Sequence, residues 1–297
     1  MSEVIKNRYE FVILFDVENG NPNGDPDADN MPRIDDETNL GLITDVCLKR
    51  KIRDYVATVK EDAVYAPGEP QYNIYVQSGI FLNDQHKRAY DALGIPQVNK
   101  QLPKAAADAK RLTDFMCHNF YDIRAFGAVM TTDVNCGQDR GPVQLSFAQS
   151  VDPITAIPVT VTRVTPTKYN EDKEGKKTEF GHKYIVPYAL YRCEGYVSAN
   201  LARKVTGFSE EDLDLLWQAI LNMFEHDHSA ARGKMAVRQL IIFKHDSELG
   251  CAPAWKLFDT VTVARKEGVI SPRSYQDYTV SVDEAALPAG VTCTLMG

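Results

Sequence analysis

The stretch Tyr9 to Val17 (YEFVILFDV) constrains the fold more than any other. Tyr9, Phe11, Ile13 and Phe15 fall on one alternating face and Val12 and Leu14 on the other. A strand that is apolar on both faces must be covered on both, which places it at the centre of a sheet between two layers. A polar loop rich in Asn, Gly, Pro and Asp runs from Glu18 to Asn39. It exceeds the roughly 12–15 residues beyond which a loop is usually functional or disordered.

Further along, Thr44 is an N-cap for a helix to about Val59, with Leu48, Ile52, Tyr55, Val56 and Val59 on one face. Asn73 to Ser78 reads as a short strand, Gln85 to Leu93 and Lys104 to Tyr121 as helices, and Arg124 to Thr131 and Gln144 to Ser150 as strands. Thr155 to Thr165 and Lys183 to Val197 read as a β-hairpin around the charged segment TKYNEDKEGKKTEFGH. Ser209 opens a helix whose first turn is acidic and whose Leu213, Leu216, Trp217, Ile220 and Phe224 share a face. Ala236 to Phe243 is a strand, and the last two strands are expected near Thr260 to Ala264 and Tyr278 to Val282. The order of strand, helix, strands, helix and strand is that of a ferredoxin-like βαββαβ domain with two insertions, although other α+β folds also permit it.

The 297 residues carry 33 Lys+Arg against 41 Asp+Glu, a net charge of −8. This weighs only weakly against a nucleic-acid partner, because a binding site is local. No apolar run reaches the ~18–20 residues of a membrane span, and no signal-peptide core precedes Tyr9. The six cysteines contain no CxxC pair and read as reduced thiols. A cytoplasmic protein is expected.

Against that acidic background the run Lys49-Arg50-Lys51-Ile52-Arg53 stands out. At ~100° per residue, Lys49, Arg50 and Arg53 share a face with Val46, away from Leu48, Ile52 and Tyr55. Such a face suits phosphates, and a plain solvated surface is the alternative. Arg140-Gly141 and Arg232-Gly233-Lys234 each set a cation beside glycine, where backbone N–H groups can approach an anion. Asp25, Asp27 and Asp29 resemble the start of an EF-hand loop, but Asn30 stands where glycine is required. The acids from Asp25 to Asp36 would otherwise hold Mg²⁺ for phosphodiester cleavage, or simply build turns. Glu225-His226-Asp227-His228 lacks a third ligand, and no motif for nucleotide hydrolysis, serine hydrolysis or dinucleotide binding is present.

Several longer stretches carry a family resemblance: Phe15-Asp-Val-Glu-Asn-Gly-Asn-Pro-Asn-Gly-Asp25, Pro32-Arg33-Ile-Asp35, Thr44 to Arg53, Arg124-Ala-Phe-Gly127, Gly141-Pro-Val-Gln144 and Met223 to Met235. Together they resemble the repeated-backbone subunit of type I-C CRISPR surveillance complexes (Cascade), of the RAMP superfamily. The resemblance implies an RRM-like palm (1–60, 123–154 and 190–297), helical fingers (61–122) and a β-hairpin thumb (155–189).

It also implies a non-catalytic protein without a cofactor or bound metal, stacked head to tail in several copies along a guide RNA. The guide would be displayed to target DNA beside other Cascade subunits: a guide-end cap, a large and a small subunit. RNA contacts are expected from Arg33, Lys49, Arg50, Arg53, Arg140, Gly141, Arg163, Lys168, Tyr169, Arg232, Gly233 and Lys234, and DNA contacts from Lys104, Lys110 and Arg111. Relatives that cleave RNA with an Asp after the first strand keep a metal-dependent ribonuclease, using the loop from Asp25 to Asp36, as the alternative. A small-molecule enzyme has no supporting motif. No RNP1-type aromatic run is present, so backbone binding is expected over base stacking.

Overall fold

A computed structural model describes residues 2–165 and 179–297. The chain begins with strands β1 (Tyr9–Gly20), β2 (Gly24–Asp25), β3 (Met31–Pro32) and β4 (Leu40–Ile43). Four helices follow, α1 (Asp45–Val59), α2 (Leu82–Leu93), α3 (Ala106–Asn119) and α4 (Tyr121–Phe126). Next come β5 (Gly127–Thr131), β6 (Asn135–Arg140), β7 (Val143–Leu145), β8 (Ala148–Pro153), β9 (Ile157–Arg163) and β10 (Glu179–Val197). The last third holds α5 (Ala199–Leu201), α6 (Glu210–Asn222), β11 (Lys234–His245), α7 (Ala254–Phe258), β12 (Val261–Arg265), β13 (Tyr278–Val282) and β14 (Val291–Met296).

This is a mixed α/β architecture around a large antiparallel sheet. Its strand order is β14-β11-β1-β10-β8-β4, with β7 and β9 also paired to β10. The strand β1 lies between β10 and β11, with Tyr9 opposite Val197 on one side and Lys244 on the other. It is covered on both faces, as its two apolar faces require. Phe11 meets Trp217 edge-on at 5.1 Å, and Phe15 lies 5.4 Å from Phe224, in the layer that holds α1 and α6. Val12 and Leu14 pack instead with Leu257, Phe258, Val261 and Tyr278. The C-terminal layer of α7, β12 and β13 therefore covers the sheet face opposite the helices.

Both N-caps expected from the sequence are formed. Thr44 accepts from the Cys47 N–H at 3.3 Å. Ser209 and Asp212 make a reciprocal capping box at the start of α6. A second core joins α2 and α3 to the β5–β6 hairpin through Leu112, Met116, Ile123, Met130 and Cys136.

Four expectations are corrected. Asn73 to Ser78 is not a strand: only a parallel bridge from Asn73 to Phe120 forms, and the N–H groups of Tyr75 and Val76 donate to the Asp122 carboxylate at 2.8 and 3.0 Å. Arg124 lies in α4, so the strand begins only at Gly127. The helix expected to Tyr121 breaks at Phe120, whose extended backbone (φ −122°, ψ 114°) separates α3 from α4. Finally, among the described residues β12 and β13 pair only with each other, and it is β14, unforeseen, that joins the main sheet beside β11. Among the described residues, no helix is long and apolar enough to cross a membrane.

Candidate functional site

The loop leaving β1 and the loop entering β11 run against each other, backbone to backbone. The Asn21 N–H donates to the Ala231 carbonyl at 2.8 Å, and Arg232 Nη1 donates to the Pro22 carbonyl at 3.2 Å. The approach is so close that a Cβ on Gly20 would sit 1.8 Å from the Arg232 oxygen. Gly233, at φ 63°, would put a Cβ 2.5 Å from the carbonyl oxygens of Glu18 and Asn19. Only glycine fits either position. The same seam is tied to α1, because Asn23 Oδ1 accepts from Thr44 N at 2.9 Å and from Thr44 Oγ1 at 3.1 Å. Cys47 sits against Pro22, where burial pushes its thiol pKa up.

The cations of α1 are placed unequally. Lys49 is 13% exposed, bonds Asp45 at 2.9 Å and lies 5.5 Å over the Phe126 ring. Arg53 is 12% exposed, bonds the buried Asp122 at 2.8 Å and lies 5.3 Å over the same ring. Arg50 alone of the three is open, 70% exposed and 3.8 Å from Asp54. In the seam, Lys234 is 73% exposed and 3.2 Å from Glu18. Arg232 Nε lies 3.0 Å from Asp227 Oδ2 in an ion pair, and Arg33 bonds Asp25 at 3.1 Å.

Arg140 ends β6 exposed, in register with Gly127, and Gly141 packs against the Gly127 backbone. Arg163 pairs with Glu179 across the β9–β10 hairpin. Lys168 and Tyr169 lie outside the described residues. On the fingers Lys104 is exposed, while Lys110 and Arg111 bond Asp114 and Asp108 of their own helix at 2.8 and 3.1 Å.

The structure thus brings Arg33, Arg232 and Gly233 together with the start of α1, with Lys234 exposed on the neighbouring strand beside Glu18. It sets Lys104, Lys110 and Arg111 apart, on a different core.

Two of the loop acids are engaged in turns. Asp25 accepts from the Asp27 N–H at 3.1 Å in addition to its bond from Arg33. Asp35 accepts from the Glu37 and Thr38 N–H groups at 2.9 and 3.4 Å, which lowers its pKa. Among the described residues, no group of three or more His, Cys, Asp or Glu converges as a metal site. Within Glu225 to His228, Asp227 bonds Lys51 and is ion-paired with Arg232, and the His226 ring lies 6.3 Å from Tyr55.

Lys51 was missed by sequence reasoning, although a signal existed. It stands three residues after Leu48 and four before Tyr55, on the core face of α1. It is 2% exposed there.

A family model described as CRISPR-associated protein Cas7 matches residues 7–283. A Haloferax volcanii protein described as CRISPR-associated protein Cas7 is 52% identical over 48 residues, which are 16% of this chain and 14% of that relative's length. Among solved structures, a chain of a "CRISPR RNA-guided surveillance complex, pre-nicking" gives a TM-score of 0.48 at 15% identity, covering 80% of this chain and 75% of that one. A chain of a "CRISPR RNA-guided surveillance complex" gives 0.41 at 12% identity, covering 80% and 68%. One of a type III-B Cmr-beta complex bound to cognate target RNA gives 0.40 at 10%, covering 80% and 61%.

Proposed function

The chain belongs to the CRISPR-associated Cas7 family, and from that membership we propose that it is a non-catalytic backbone subunit of a type I-C surveillance complex. In this reading several copies stack head to tail along a guide RNA, hold its phosphates and present its bases to target DNA, beside the other Cascade subunits. The observation that carries the reading is the seam between the β1 and β11 loops. Two glycine-dependent close approaches hold Arg232 near the α1 N-terminus, with Lys234 exposed beside Glu18, an arrangement that suits phosphate rather than base. The covered sheet supports the same conclusion. With α7, β12 and β13 packed over the face opposite the helices, the aromatic platform by which RRM modules stack bases has no open place there.

The partial order β11-β1-β10-β8, with α1 and α6 in the connections, fits a ferredoxin-like palm of 1–60, 123–154 and 190–297. The core shared by α2, α3, β5 and β6 supports fingers wider than 61–122, reaching the end of β6 and taking residues 123–140 from that palm. The β9–β10 hairpin is exposed over most of β9 and suits a thumb of 155–189 that works on a neighbouring copy. Lys104 is the finger cation best suited to target DNA, since Lys110 and Arg111 already have acid neighbours.

The test is RNA binding by fluorescence anisotropy on two unrelated single-stranded sequences of equal length. Arg232→Gln should weaken both to the same extent and reduce the salt slope by about 0.7, the single-strand value per phosphate. A loss confined to one sequence would count against phosphate recognition. The ribonuclease alternative is disfavoured by the turn bonds of Asp25 and Asp35. Bound RNA should stay intact over hours with Mg²⁺ or Mn²⁺. Cleavage that disappears in Asp27→Ala or Asp35→Ala would replace the present reading.

A further inference from the structure

We infer that Lys51 is a positioning residue for the seam: its ammonium holds the Asp227 carboxylate, and Asp227 sets the direction of the Arg232 guanidinium. The inference rests on reading Arg232 as a phosphate contact. Lys51 lies on the core face of α1 among Leu48, Ile52 and Val56, all fully buried, with its ammonium 5.9 Å over the Phe224 ring. Lysine is almost never fully buried unless paired. An apolar side chain of similar length would serve packing there at least as well, so stability alone does not account for a charge at this position.

What the charge does is visible in its acid partner, the only one among the described residues. Asp227 Oδ2 accepts a hydrogen bond from Lys51 Nζ and forms an ion pair with Arg232 Nε. Arg232 then spends Nη1 on the Pro22 carbonyl. One of its three nitrogens is thereby hydrogen-bonded to protein and a second is ion-paired. Nη2 donates no hydrogen bond among the described residues and is the nitrogen left for an anion. The segment that carries Asp227 and Arg232 is a run of turns between α6 and β11, with no strand or helix of its own to stiffen it. The Lys51–Asp227 pair fastens that segment to α1. A guanidinium oriented before binding loses less side-chain entropy when a phosphate arrives. With Lys51 gone, Asp227 remains as a sole counter-charge that can follow Arg232 wherever it turns.

The experiment measures affinity for one single-stranded RNA over a range of salt, with melting temperature alongside, for Lys51→Met, Asp227→Asn, Arg232→Gln and the Lys51→Met/Arg232→Gln double variant. Arg232→Gln and Lys51→Met should each weaken binding roughly 5- to 10-fold and lower the salt slope by about 0.7. The double variant should bind no worse than either single one, because both remove the same contact. Asp227→Asn should act in the same direction, and it reads out the pair even if Lys51→Met folds poorly. Lys51→Arg should restore most of the affinity. If Lys51→Met lowers the melting temperature while affinity and slope stay at the wild-type values, Lys51 only supports the fold. That result sinks the inference and leaves the phosphate reading of Arg232 standing, as would additive losses in the double variant. If Arg232→Gln leaves the slope unchanged, both fall together.

Discussion

Asp212→Ala should destabilise the protein by about 3–5 kcal/mol, the usual consequence of stranding one partner of a buried ion pair. Asp212 and Arg124 are both buried, and their bond is two-pronged: Arg124 Nε and Nη2 meet the two carboxylate oxygens at 2.9 and 2.8 Å. Arg124 Nη1 also donates to the carbonyls of Gln71, Cys117 and His118, at 3.1, 2.9 and 3.3 Å. One guanidinium thus joins the finger segment to the first turn of α6. Asp212 also completes the capping box, accepting from Ser209 N at 2.9 Å, so alanine removes a cap as well as a counter-charge. Urea unfolding gives the number. Asp212→Asn keeps the shape and an acceptor for Ser209 and should fall between wild type and alanine. A shift below about 1 kcal/mol for Asp212→Ala would mean that water reaches Arg124 and that the pair does not hold the two regions together.

Half of that pair was legible beforehand and half was not. The acidic first turn after Ser209 announced a helix start, because Ser and Asp at that spacing cap locally. The partner was hidden, since Arg124 sits 88 residues away in sequence, and no local spacing encodes such a contact. The same division runs through the molecule. β1 could be read because nine residues carry both of its faces, and α1 because Thr44 and its apolar stripe lie within a few turns. β14 escaped notice because it is an edge strand, half-exposed, with threonines breaking its apolar pattern. The segment from Asn73 looked like a strand, but its N–H groups are taken by Asp122, which is contributed by another helix. The basic face of α1 shows the limit most clearly. The wheel correctly put Lys49 and Arg53 off the apolar stripe. It could not show that Phe126 and Asp122 would come to cover that face.

That covering separates two kinds of cation, and they should respond in opposite ways. Replacing Arg50, Arg232 and Lys234 together with Gln should weaken single-stranded RNA binding roughly 100-fold, about 5-fold for each charge removed, and flatten the salt slope by roughly 2. Arg50 and Lys234 are largely exposed, and Asp227 keeps Lys51 when Arg232 is gone, so the melting temperature should fall only a little. Arg53→Gln should do the reverse. It leaves the buried Asp122 without its guanidinium partner, though the Tyr75 and Val76 N–H groups still serve the carboxylate. A fall in melting temperature of several degrees with little change in slope is therefore expected. Both quantities come from the same purified variants, one by thermal melt and one by salt-titrated anisotropy. Suppose Arg53→Gln flattened the slope while its melt stayed put. The ion pair with Asp122 would then open when RNA binds, and the RNA track would run over the covered face of α1 rather than along the seam. If the triple variant still bound RNA with the wild-type slope, the seam would not be the phosphate site at all. The exposed Arg140 at the end of β6 and the β9–β10 hairpin would be the places left to look.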